Sequence, residues 1–153
     1  MDDSEKVKRI LRTSRTLAVV GLSAQWHRPS YFAAKYMQEH GYRIIPVNPT
    51  YDTILGEKSY KRLADIPEKV DIVDCFRKSA EIHAIAEEAI AMGARVLWMQ
   101  LGVENAAARA RAEAAGLEVV ENRCVKIEHG RFFGGLGWAG VNTKVISAKR
   151  ASA

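Results

Sequence analysis

The chain is short of the features that would take it out of the ordinary globular class. It has only two cysteines in 153 residues, Cys75 and Cys124. Neither has CxxC spacing, and His27, His40, His83 and His129 are scattered with no ligand rhythm, so no disulfide framework and no metal site are expected. Such cysteine use fits a reducing cytoplasm, which is the expected location. With only four prolines and 27% charged residues, the composition excludes a collagen-like or disordered chain. No apolar run approaches the roughly 18 residues of a membrane span. The opening Met1-Asp2-Asp3-Ser4-Glu5 is acidic and does not read as a signal peptide. Neither a membrane protein nor a secreted one is expected.

The net charge of +5 is no sign of a nucleic-acid surface once it is divided along the chain. Residues 1–15 hold five basic and three acidic side chains, and residues 123–153 hold six and one. The stretch between them is slightly acidic, with 12 basic against 14 acidic. A nucleic-acid interface gathers Lys and Arg into a patch or stripe, often with stacking aromatics. Here the excess sits in two terminal segments, so no nucleic-acid partner is expected, while a basic rim around a small anion stays open.

What is present is an alternation of short apolar runs and helical patterns, with no repeat, low-complexity tract or linker. Residues 5–14 read as a polar helix with Val7, Ile10 and Leu11 on one face. Leu17-Ala18-Val19-Val20-Gly21 is a continuous apolar run, as a strand buried on both faces requires. A polar loop, Ser23 to Ser30, leads to a helix stopped at Gly41. Further strands are expected at Tyr42–Val47, Gly56–Tyr60, Asp71–Phe76, Arg95–Leu101 and Leu117–Val120. A helix capped by Ser79 and an Ala-rich helix from Asn105 to Ala115 lie between the later ones. This order predicts an α/β fold: a Rossmann-like, doubly wound parallel sheet in three α/β/α layers, most simply in the order 3-2-1-4-5-6. A single domain over residues 1–153 is expected, with its core at about 15–129. The last stretch, Arg123 to Ala153, breaks the rhythm; its glycine-dense Gly134–Gly140 reads as a loop, and residues 130–153 form a glycine-rich C-terminal segment.

In such sheets ligands sit beyond the carboxyl ends of the strands. That rule selects Gly21 to Arg28, Asn48 to Tyr51, Phe76-Arg77, Gln100-Leu101-Gly102 and Asn122-Arg123-Cys124. The first loop offers the clearest chemistry. Gly21 allows a sharp turn, the following helix start offers N–H groups to phosphate oxygens, Ser23 and Ser30 add hydroxyls, and Arg28 adds a charge-assisted contact. Ser30 reads equally as a helix cap. GxGxxG is absent, since Ser23 and Trp26 stand where its second and third glycines would fall. The second strand ends Pro46-Val47-Asn48-Pro49, with no acidic residue for a ribose. A Walker loop is missing too, so NAD and ATP fit poorly. No serine elbow, carboxylate pair or catalytic triad is visible, and no catalytic residue is assigned. Arg123 could lower the pKa of the Cys124 thiol. Cys75 and Trp98 belong to buried strands and read as core, whereas Trp26 sits on a loop.

Taken as a set, several segments resemble the CoA-binding domain family. They are Val19-Val20-Gly21-Leu22-Ser23, Arg28-Pro29-Ser30, Gly41 to Pro49, Asp71-Ile72-Val73 with Phe76-Arg77, Trp98 to Gly102, and Cys124 to Glu128, with a weaker match at Asn142 to Ser147. The small stand-alone members are similar to the N-terminal domain of the succinyl-CoA synthetase alpha subunit. The resemblance implies a Rossmann-like domain that holds coenzyme A at its strand ends. The loop Gly21, Leu22, Ser23, Ala24 and Gln25 would face the phosphate-bearing part of CoA. The turn after the second strand falls on Asn48, Pro49 and Thr50, and later contacts fall on Phe76, Arg77, Met99, Gln100 and Leu101. Cys124 would lie near the pantetheine end. The synthetase has a lysine after its second strand and this chain has none there, which leaves Arg28 or Arg77 to supply the charge. The synthetase's phosphohistidine comes from a second domain, for which 153 residues leave no room, so ligase activity by this chain alone is not expected. The expectation is therefore a protein that binds CoA or an acyl-CoA without chemistry of its own. Two alternatives stay open: a CoA-thioester or thiol enzyme using Cys124, and a CoA-responsive module acting on a protein partner. A homo-oligomer through the glycine-rich tail is also compatible.

Overall fold

The computed structural model describes residues 3–134. The chain starts with helix α1 (Asp3–Thr13), strand β1 (Thr16–Val20), helix α2 (Pro29–Glu39) and strand β2 (Arg43–Val47). A two-stranded hairpin follows, β3 (Thr53–Ile54) and β4 (Glu57–Lys58). The βα rhythm then resumes with β5 (Ile72–Cys75), α3 (Ile82–Ala91), β6 (Val96–Met99), α4 (Ala106–Ala114), β7 (Glu118–Val120) and α5 (Val125–Phe133).

Five strands form one parallel sheet in the order β2-β1-β5-β6-β7. The order reverses between β1 and β5, because the chain winds outward to β2 on one side and to β6 and β7 on the other. Side-chain alternation divides each strand between two cores. Leu17 and Val19 of β1, with Val96 and Trp98 of β6, pack against Val7, Ile10 and Leu11 of α1 and Ala33, Ala34 and Met37 of α2. Ala18, Leu97 and Met99 point the other way, onto Ile82, Ile85, Ala86 and Ala89 of α3 and Ala108 and Ala112 of α4. The result is the expected three-layer Rossmann-like α/β/α arrangement. Small alanines on the buried faces of α2, α3 and α4 let the helices lie close to the sheet.

Three expectations need correction. The strand expected at Gly56–Tyr60 is not the third strand of the sheet, so the order 3-2-1-4-5-6 gives way to five strands. Leu55 and Gly56 both have positive φ, 55° and 77°, which makes a two-residue type I′ turn and folds Thr53–Lys58 on itself. Only Tyr60 bridges to β2, at Val47. β2 is therefore an edge strand, which is where the sheet can hold Pro46. Ser79 does not cap α3: it opens a short 3-10 turn (Ser79–Glu81), and its Oγ accepts from the Glu104 amide at 3.1 Å. Asn105 does cap α4, its side chain accepting from the Ala108 amide at 2.9 Å.

The third correction is α5, within the segment that broke the rhythm. Its buried positions are Val125, Glu128 and His129, so two of the three are polar and the apolar periodicity is lost. Glu128 is held by Arg131 at 3.2 Å and Arg123 at 3.6 Å. His129 Nδ1 meets the Tyr36 hydroxyl at 2.9 Å. The loop expected over Gly134–Gly140 and the resemblance at Asn142–Ser147 lie outside the described residues, apart from Gly134. Trp98, fully buried, donates its Nε1–H to the Arg123 carbonyl at 2.7 Å and ties β6 to the segment entering α5. Trp98→Phe should lower unfolding stability by about 1–3 kcal/mol through the carbonyl left unpaired, which urea unfolding of the two proteins will measure.

Candidate functional site

The carboxyl ends of β1 and β5, where strand order reverses, carry two adjoining clefts. The smaller, about 400 Å³, is lined by Gly21, Ser23, Gln25, Arg28, Pro29, Ser30, Tyr51 and Phe76. The larger, about 820 Å³, takes in Pro29 and Phe76 again, with Arg77, Lys78, Glu81, Gln100, Leu101, Val103, Cys124 and Ile127.

Gly21 lines the smaller cleft against Phe76, which lines both. Its φ is +89°, and a Cβ there would press onto the Phe76 carbonyl oxygen and lie 2.8 Å from Arg77 Cδ. Gly21 N–H donates to Val47 O at 2.9 Å, and Phe76 N–H donates to Val20 O at 2.9 Å. The loops after β1, β2 and β5 are thus joined at one point that only glycine fits.

The rest of the first loop is held by its own side chains. Ser30 Oγ, buried at the start of α2, accepts from the Ser23 amide at 3.0 Å, and Ser23 Oγ accepts from the Gln25 amide at 3.0 Å. Gln25 Oε1 accepts from Arg28 Nε at 3.1 Å. The helix itself has no side-chain cap, and Arg28 occupies the cap position before Pro29. Pro29 carries no N–H, and Tyr31 and Phe32 donate to Arg28 O at 3.0 and 3.2 Å, so an anion at the smaller cleft would meet the Ser30 amide of this helix start together with the Arg28 charge. Ser30 therefore braces the loop and does not cap its helix.

Asn48 acts in the same way. Its Nδ2 donates to Leu22 O at 3.0 Å, and its Oδ1 accepts from the Thr50 amide at 2.9 Å. It locks the loop after β2 onto the loop after β1. Pro49 and Thr50 are exposed but line neither cleft, and Tyr51 is the residue of that turn that does. Ala24 is half-buried within the first loop and outside both linings.

On the other side, Arg77 is paired with Glu81 at the mouth of the larger cleft. Met99 is fully buried among the side chains facing α3 and α4, so its side chain does not reach the clefts. Its neighbour Gln100 has the opposite parity and does line the larger one. Gln100 Nε2 donates to Asp74 Oδ1 at 2.5 Å, and Gln100 Oε1 accepts from the Val125 amide at 3.4 Å. Leu101 and Gly102 form the tip of a tight turn closed by Val103 N–H to Gln100 O at 2.8 Å. Cys124 is half-buried on the wall of the same cleft, whereas Cys75 is fully buried and burial pushes its thiol pKa well up. His83 is exposed and no histidine lines either cleft. Among the described residues no group of three or more acidic, His or Cys side chains could hold a metal.

Sequence reasoning thus finds Gly21, Ser23, Gln25, Arg28, Phe76, Arg77, Gln100, Leu101 and Cys124 among the cleft residues. It misses Lys78, Glu81, Val103 and Ile127, whose positions depend on turn and helix geometry.

With two clefts at its switch point, the molecule is an α/β, Rossmann-like protein. The chain belongs to the CoA-binding domain family, whose model, described as a CoA binding domain, matches residues 15–130. It is 41% identical over 124 residues, 81% of this chain and 92% of the relative, to the uncharacterized protein YneT of Bacillus subtilis. A solved structure of a hypothetical protein from Pyrococcus horikoshii superposes with a TM-score of 0.84 at 40% identity, covering 87% of this chain and 94% of that one. An ADP-forming acetate–CoA ligase of Methanocaldococcus jannaschii is 27% identical over 74 residues, 48% of this chain but 10% of the ligase.

Asp74 lies fully buried in the sheet between Val19 and Trp98, and burial raises its carboxyl to about 7 despite the Gln100 hydrogen bond. Its unfolded value is near 3.8. Between those values the unfolded chain has already released the proton while the folded protein keeps it, so this group makes stability fall as pH rises from about 4 to 7. Asp74→Asn removes that dependence. Urea unfolding across this pH range should show the variant gaining stability relative to wild type as pH rises, and a constant difference would disprove the assignment.

Proposed function

We propose that this chain binds coenzyme A or an acyl-CoA, as a binding protein that contributes no catalytic set of its own. The observation that carries this reading is the division of the site. A polar cleft with an arginine and a helix start adjoins a larger, mainly apolar one, and the two share Pro29 and Phe76. CoA has the matching division, with phosphates at one end and an uncharged pantetheine arm at the other. Arg28 would face the phosphates, with Arg77 and Lys78 as further cations along the path, and Cys124 would stand near the thiol end. These residues fit the cofactor's charge and shape without a lysine after β2.

The same geometry disfavours a nicotinamide dinucleotide. β2 ends on Asn48 rather than an acid, and both ends of the Asn48 amide are already engaged in bracing loops. Membership of the family and the resemblance to the acetate–CoA ligase support CoA as the ligand. The cysteines Cys75 and Cys124, neither in a disulfide, suit a cytoplasmic protein. No helix among the described residues is long and apolar enough to cross a membrane.

Calorimetric titration with CoA, NAD and ATP in parallel tests the reading. CoA should bind at least about tenfold more tightly than either competitor, a margin of ~1.4 kcal/mol. Arg28→Ala should weaken CoA by about tenfold, as expected for loss of one charge-assisted contact. A preference for NAD, or no binding by any of the three, would overturn it.

A further inference from the structure

Resting on that reading of the site, we infer that the physiological ligand is a CoA thioester with an aliphatic acyl chain, and that the wall made by Leu101, Val103 and Ile127 is the acyl subsite. The larger cleft has about twice the volume of the smaller one that faces the phosphate end. Its charged residues, Arg77, Lys78 and Glu81, come from the β5–α3 connection. The remaining wall runs through Gln100, Leu101, Val103, Cys124 and Ile127 and carries no charge. A free thiol needs only enough room for its own end, whereas an uncharged wall shared with Cys124 suits hydrocarbon.

Leu101 is 65% exposed and Ile127 is 54% exposed, two of the four large apolar side chains that the described residues leave in water. Single exposed apolar residues are commonplace, but these two line one cleft with Val103. Leu101 is also held out by dedicated structure. It sits in the first central position of the Gln100–Val103 turn, with Gly102 at φ +86°, the type II arrangement. Asn122 Oδ1 accepts from the Gly102 amide at 2.6 Å, and Asn122 N–H donates to Val103 O at 3.2 Å. To make both contacts, Asn122 adopts φ +56°, a region uncommon for residues other than glycine. Asn122 thus fixes a turn whose tip presents leucine to the cleft. On the facing side, the Val125–Gln100 hydrogen bond seats the start of α5, the helix that carries Ile127.

The test is a titration series with CoA, acetyl-CoA, butanoyl-CoA and octanoyl-CoA. A fully buried methylene is worth about fourfold in affinity and a half-open wall about half of that, so octanoyl-CoA should exceed acetyl-CoA by more than about tenfold. Leu101→Ser and Ile127→Ser should each lower the ratio of octanoyl-CoA to CoA affinity by about threefold or more, whatever they do to CoA itself. Measurable CoA affinity with a flat chain-length series would overturn the acyl assignment alone. No binding of CoA would overturn the reading it rests on. If the two variants leave the ratio unchanged but convert a dimer to monomer in sedimentation, the wall is an interface between copies of this chain and the assignment is likewise wrong.

Discussion

The close approach of Gly21 to the Phe76 carbonyl is the constraint on which the site depends. Parallel strands that diverge in connection leave a gap at their carboxyl ends, and here the loops after β1 and β5 close together across it. A side chain at position 21 would prop them apart, since a Cβ there meets backbone rather than a flexible side-chain end. The contact places the loop after β1 against Phe76, the residue common with Pro29 to both clefts. The single glycine does the work for which a dinucleotide fold uses several. The other two positions of that fingerprint are free to be Ser23 and Trp26.

That freedom explains the chain of hydrogen bonds that follows. Without further glycines to hold a tight path, the loop is stiffened by side chains acting on backbone: Ser30 on Ser23, Ser23 on Gln25, and Asn48 on both Leu22 and Thr50. Serine and asparagine suit this because their short polar ends compete well for nearby amides and carbonyls. Several residues that look like ligand donors are therefore engaged first in shaping the loop. A hydroxyl that accepts an amide still has a proton to give, so Ser23 can brace the loop and face a ligand at once.

The apolar runs made the parallel sheet legible in the sequence, as did the glycines that close α2, α3 and α4 and the polar loop after β1. They were readable because a buried parallel strand needs uninterrupted apolar residues, as at Leu17–Val20. The hairpin at Thr53–Lys58 was not, because its identity depends on Leu55 taking a left-handed conformation that leucine seldom adopts. Helix α5 was hidden for a different reason. Its buried face carries Glu128, paired locally with Arg123 and Arg131, and His129, whose partner Tyr36 is brought to it only by folding. The cleft residues were found where they directly follow a strand end and missed where they hang from α5 or stand further along the β5–α3 and β6–α4 connections, as Lys78 and Val103 do. Met99 shows the limit of that rule: a strand end names a neighbourhood, and side-chain parity decides which residue enters it.

Parity also separates the two faces of the sheet by chemistry. The face under α3 and α4 is packed with aliphatic side chains such as Val73, Leu97 and Met99. The opposite layer holds the buried polar groups Ser30, Asp74, Gln100, Glu128 and His129. A buried polar group destabilises unless it is paired; each of these five has a partner, whereas the hydroxyl of Ser14, fully buried after α1, has none. An apolar layer alone would have held α2 and α5 against the sheet. The polar one adds directional links, Asp74 to Gln100 to Val125 and Ser30 to Ser23, that fix where the ends of these helices stop relative to β1 and β6. Those ends carry Pro29, Cys124 and Ile127 into the clefts. The more costly core thus lies beneath the side of the sheet where position has to be specified, and the cheaper one lies where packing is enough.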